Sequence, residues 1–300
     1  MLAAGLSHTD PQEIGEHVLA CWQEFLDVVT APGTDLSRPS RLPGWSGRDT
    51  CVHLGAWDDA RVLEGAIASA DAGGAGEPGD PDAGNARLLA AHADAGPEQV
   101  VASLVRARDD LAAFFASDVP ARLGRAASSS TLGPLPLLSL VHAGCYELAV
   151  HALDLAPCGA PRPADHLLDR GLAALLDVTG ALAARHGIEV RVTAQTPTGG
   201  YAFASADGGW TTDRVPAGRF RGPGVTGRVE DLLDASAGRA GLPQLLVARR
   251  LVVSDLPGFL RLAPLVEEVP GLPGGATLRT AVAGLGGVTR VLGRLPGLRR

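Results

Sequence analysis

Residues 166 to 196, HLLDRGLAALLDVTGALAARHGIEVRVTAQT, change period part-way along. Up to His186 the segment reads as an apolar helix, whereas from Glu189 to Thr196 apolar and polar residues alternate as in a half-buried strand. Tyr201 to Ser205 (YAFAS) alternates too, with turn residues between, and Trp210 to Thr212 reads as a third short strand. Val229 to Ala237 reads as a short helix closed by Gly238-Arg239, and Phe259 to Val266 as another. The second half is thus expected to be a small α+β domain.

Upstream of this switch no alternating pattern occurs. Asp10-Pro11-Gln12-Glu13 is a helix start, with an N-cap Asp, Pro in the first turn and Glu completing a capping box. Ile14, Val18, Cys21, Phe25 and Val29 then form one apolar stripe. A second helix is expected from Ser46 to about Ala70, a third from Pro97 to about Ser117 and a fourth from about Pro136 to Leu155. Ala31 to Pro43 is a connection, and Asp71 to Asn85 (DAGGAGEPGDPDAGN) reads as a mobile linker. The expected architecture is multi-domain: an all-α four-helix bundle over 1–158, an α+β domain over 159–275, and a basic tail over 276–300. The linker between the first two is PCGAPRP, Pro157 to Pro163.

All 26 basic residues are arginine. Without lysine, Schiff-base and pyridoxal-phosphate chemistry and a complete Walker A loop are excluded. Residues 1–160 carry 9 arginines against 21 acids and residues 161–300 carry 17 against 12, so the halves attract each other and a phosphate backbone is not an expected partner. Cys21, Cys51, Cys145 and Cys158 lack C-x-x-C spacing and read as buried thiols. The N-terminus has no basic flank and meets Asp10 and Glu13 before a long apolar run. No apolar run is long enough to span a bilayer, and a cytoplasmic location is expected.

Glu147 and His151, four apart on the fourth helix, share a face, whereas His142 points about 140° away from Glu147 and about 180° away from His151. E-x-x-x-H alone also describes an ordinary surface pair. Here the helix around it is apolar (Leu138, Leu140, Val141, Leu148, Val150, Leu153), where a carboxylate and an imidazole are expensive to bury unless paired or metal-bound. His53 sits in an equally apolar stretch of the second helix, where a satisfied core histidine is the competing reading. Together, two imidazoles and one carboxylate make an open three-ligand site for Zn²⁺ or a similar divalent ion. Asp154, three after His151, and Asp49, four before His53, lie on faces from which they could support the imidazoles.

RLPGWSGRDTCVHLGAW, Arg41 to Trp57, and CYELAVHALDL, Cys145 to Leu155, resemble two segments of the mycothiol-dependent maleylpyruvate isomerase family, whose first domain is a DinB-like helical bundle. The resemblance implies that His53, Glu147 and His151 are zinc ligands and that the second half is a sterol-carrier-like domain. It also implies a catalytic role for Arg239, in the Gly-Arg pair closing an amphipathic helix; the alternative is a solvated helix-end arginine. Mycothiol is the implied cosubstrate, with isomerisation or S-transfer on a small activated substrate as the implied reaction. The competing reading is a non-catalytic, metal-containing protein that carries an apolar small molecule. The last 25 residues, with five Arg and no acid, read either as an anchor to anionic lipid or a partner, or as a frayed terminus.

Overall fold

The computed structural model describes residues 5–74, 80–218 and 222–268; the basic tail expected at 276–300 lies outside them. Helix α1 spans Pro11–Val29, with the Asp10 side chain accepting from the Gln12 N–H at 3.0 Å. All five residues of its predicted stripe are buried. Helix α2, Gly47–Leu54, opens with a reciprocal box: the Ser46 N–H donates to Asp49 at 2.9 Å and the Asp49 N–H donates to Ser46 Oγ at 3.2 Å.

The expected single helix from Ser46 to Ala70 is broken. The chain leaves α2 at Gly55 and resumes as α3, Val62–Asp71. The break has a packing cause. A Cβ on Gly55 would run into Ser103, and the chain instead fixes itself there by an Ala56 N–H bond to the Ser103 carbonyl at 3.0 Å. Trp57 folds back, its Nε1 donating to the Val52 carbonyl at 2.9 Å. The linker expected over 71–85 is corrected at its end, because from Pro81 to Ala91 the chain forms α4; residues 75–79 of it lie outside the described residues. Asp80 accepts from the Asp82 and Ala83 N–H groups and Pro81 occupies the first turn, which is the same start signal as at Asp10. Helix α5, Pro97–Ala116, carries the Ser103 just mentioned, and the short α6 covers Val119–Leu123. The two-residue strands β1 (Ala127–Ser128) and β2 (Leu135–Pro136) pair antiparallel and lead into α7, Leu137–Asp154. The first half is thus helical, but richer than four helices.

Helix α8, Asp165–Arg185, packs along α7 so closely that a Cβ on Gly171 would lie 2.5 Å from the Ala149 Cβ. Its Leu167, Leu168 and Ala174 join the core formed by α1, α5 and α7, while its Leu172, Ala173, Leu176 and Leu182 join the core beneath the sheet.

That sheet has five strands, β3 (Val190–Thr196), β4 (Gly199–Ala206), β5 (Gly209–Val215), β6 (Gly224–Gly227) and β7 (Leu251–Ser254), in the order β5-β4-β3-β6-β7. Only β3 and β6 are parallel. Asp207 and Gly208, both with positive φ, make the tight β4–β5 hairpin turn. Helix α9, Val229–Ser236, follows β6, and Gly238 with φ +70° turns the chain after it. Helix α10 (Leu242–Val247), β7, α11 (Leu256–Phe259) and α12 (Ala263–Glu268) complete the described chain. Strands β6 and β7, four residues each, are too short to stand out as alternating runs, and β6 begins and ends on glycine. Among the described residues no helix is long and apolar enough to cross a membrane.

Candidate metal centre

Three elements converge on the cluster. Helix α7 carries Glu147 and His151 one turn apart, α2 carries His53, and the loop between α1 and α2 packs against the end of α7. That loop is fixed by the Asp35 N–H to the Cys158 carbonyl at 2.8 Å and by the Arg41 N–H to the Asp154 carbonyl at 3.0 Å.

His53, Glu147 and His151 each offer a ligand atom within 4.8 Å of the others. Both imidazoles direct Nε2 at one carboxylate oxygen, Glu147 Oε2, at 3.4 Å from His151 and 3.9 Å from His53. The rings stand edge to face with centroids 5.2 Å apart, and Trp45 packs against His53 with centroids 5.6 Å apart. His151 is buried, whereas the Glu147 side chain is 49% exposed, so the cluster opens to solvent on the glutamate side.

Behind His151 lies a fully buried carboxylate. Asp154 Oδ2 is 3.1 Å from His151 Nδ1, which directs the other ring nitrogen, Nε2, at Glu147. Arg239 grips the same carboxylate with Nε at 3.0 Å and Nη2 at 2.9 Å, and Arg41 adds Nε at 3.3 Å. Burial alone would raise the Asp154 pKa, but His151 and Arg239 hold it down at about 2. Burial would likewise lower that of His151, yet the hydrogen bond to Asp154 and the facing Glu147 carboxylate leave it raised above the ordinary imidazole value. Desolvation also opposes ionisation of Glu147, and the two facing histidines overcome it, holding its carboxyl below the usual range.

Of the residues singled out from sequence, the structure brings His53, Glu147, His151 and Asp154 together and places Arg239 on Asp154, with its remaining nitrogen, Nη1, on the Ala237 carbonyl at 2.8 Å. Asp49 is elsewhere, spent on capping Ser46 and pairing with Arg48. His142 faces away from the cluster and is buried with Nδ1 unpartnered. Sequence reasoning missed Arg41 and Asp234, which pair with each other. The only local signal was the position of Arg41 beside the Leu-Pro-Gly-Trp stretch.

The family model described as mycothiol maleylpyruvate isomerase N-terminal domain matches residues 18–156. The match covers 139 of the 300 residues, and this stretch is similar to that domain. All three clustered residues, Asp154 and Arg41 fall inside the matched residues. Two crystal structures of mycothiol-dependent maleylpyruvate isomerase are similar to most of the chain. The first, of a point mutant, has 16% identity and a TM-score of 0.48, covering 85% of this chain and 96% of that one. The second has 16% identity and a TM-score of 0.48, covering 79% and 92%. No curated protein matches the chain.

Proposed function

We propose that the chain is a metal-dependent enzyme that uses mycothiol as thiol cosubstrate for isomerisation or S-transfer on a small activated substrate. In this reading His53, Glu147 and His151 hold the ion, with zinc the first choice. The observation that carries it is the convergence of two imidazole Nε2 atoms on one carboxylate oxygen at distances too long for good hydrogen bonds. Ligand atoms on a tetrahedral zinc, with bonds of about 2.0–2.1 Å, sit about 3.3–3.4 Å apart. The His151–Glu147 separation of 3.4 Å fits that, and two nitrogens with one oxygen are a donor set suited to zinc.

The ion would lower the pKa of a bound thiol so that thiolate forms near neutral pH. The chain's own part is orientation and charge balance. Asp154 accepts from His151 Nδ1, which fixes the ring and leaves Nε2 as the nitrogen aimed at the site. Arg41 and Arg239 offset Asp154 and Asp234, leaving Glu147 as the uncompensated anion facing the ion. A divalent ion with one carboxylate keeps a net positive charge, which favours an anionic fourth ligand such as a thiolate over a neutral one. Half-exposed Glu147 marks the side from which thiol and substrate arrive. Arg239 enters as the basic residue of the second half that reaches the site through Asp154.

We assign the bundle to 1–158, the sterol-carrier-like domain to 159–275 and the tail to 276–300 on the same reading. Protein purified without chelators is expected to carry about one zinc per chain and to turn over a thiol-specific reporter in a zinc-dependent manner. A wild type that holds no metal and gains none on titration would defeat the proposal.

A further inference from the structure

Arg41 leaves the α1–α2 loop, which carries no ligand, yet it joins both halves of the molecule. Its Nε donates to Asp154 Oδ1 at 3.3 Å, and its two Nη groups donate to the two oxygens of Asp234, Nη1 at 3.2 Å. Asp234 lies on α9, and its backbone carbonyl accepts from the N–H groups of Arg239 at 2.8 Å and Ala240 at 3.2 Å, closing the turn that aims Arg239 at Asp154. A continuous run of charge-assisted bonds therefore leads from α9 through Arg41 to Asp154, and from there to the Nδ1 of His151.

We propose that Arg41 and Asp234 are positioning residues that couple occupancy of the metal site to the docking of α9. The proposal rests on the metal reading above. Neither residue touches a ligand directly. Asp154 is the shared partner, so a shift of α9 moves Arg41 and Arg239 together and releases the carboxylate that orients His151. Such a coupling is reciprocal: if docked α9 tightens metal binding, bound metal tightens the docking of α9 by the same factor. The planar fork of an arginine spans two carboxylates at once, whereas a lysine ammonium serves one and leaves the other short.

The test uses the full chain and zinc as the probe. Zinc affinity is measured by competition with a chromophoric chelator for wild type, Asp234→Asn and Arg41→Lys. The unfolding midpoint of each metal-free protein is recorded beside it. In wild type, amide exchange over residues 229–240 is followed with and without zinc. Zinc is expected to slow that exchange, and both variants are expected to bind zinc roughly tenfold more weakly. A purely structural role would lower the metal-free midpoint while leaving zinc affinity untouched. Unchanged affinity in both variants, or exchange of 229–240 that ignores zinc in wild type, overturns the coupling and leaves the metal site standing. A wild type that takes up no zinc sinks the metal reading and the coupling with it.

Discussion

On the metal reading proposed above, Glu147 is the residue whose charge the centre depends on. Its replacement by Gln keeps the size and nearly the same helix propensity, so α7 should persist while zinc content and thiol-dependent turnover fall together. Metal analysis and a turnover assay on the same sample check this. Full zinc with abolished turnover would make Glu147 a base rather than a ligand. His142, five residues earlier on the same helix, behaves differently. Burial holds its pKa down at about 4; Asp177 opposes this, while Arg170 and His17 add to it. The unfolded chain binds a proton at this position below about pH 6.5 and the folded chain does not until about pH 4, so folding is progressively penalised as pH falls through that window. The full loss is about 3 kcal/mol, since each pH unit of separation is worth about 1.4 kcal/mol. His142→Leu also removes the unpartnered Nδ1. It should be more stable than wild type at pH 4.5 in urea unfolding, and an unchanged acid slope would refute this account.

Among the elements, α7 and α8 set the tightest constraint. Alanine is a better helix former than glycine by about 1 kcal/mol, which alone would make Gly171→Ala stabilising. Against that, the added methyl meets the Cβ of Ala149 at 2.5 Å and the Cys145 carbonyl at 3.3 Å, neither of which can rotate away. Overpacking of this kind costs about 1–3 kcal/mol. The expected result is a net loss in denaturant unfolding, with recovery in the double variant Gly171→Ala/Ala149→Gly. A stable single variant would show that the two helices part freely. These helices were readable from sequence because their apolar spacing is local. The break at Gly55 was not, because its cause is Ser103 on another helix, and α4 was hidden inside a stretch whose composition reads as linker. The site divides in the same way. Glu147 and His151 share a helix face by their spacing, whereas His53 in its apolar stretch reads on its own as a core histidine and is assigned with them as a ligand by the resemblance. Arg41 and Asp234 meet across 193 positions, and no local pattern in the sequence records such a contact.

For the whole molecule, the decisive feature is that α8 completes two cores. A chain cut near Pro161 keeps every clustered residue but uncovers the flank of α7 at Cys145 and Ala149 and loses Leu167 and Leu168 from the first core. It also loses Asp234 and Arg239. Such a fragment is expected to lack cooperative thermal unfolding, and to bind zinc at least roughly tenfold more weakly if it folds at all. A cooperative fragment with wild-type zinc affinity would refute this. The same feature governs how these two halves can be recombined. Pro157 to Pro163 has the composition of a natural splice point, yet a foreign second half joined there would arrive with its own first helix. Unless that helix presents small and apolar side chains where Leu167, Leu168, Gly171 and Ala174 stand, the transplanted half has nothing to seat against. Any exchange of partners for this bundle is therefore selected on one helix face before it is selected on chemistry.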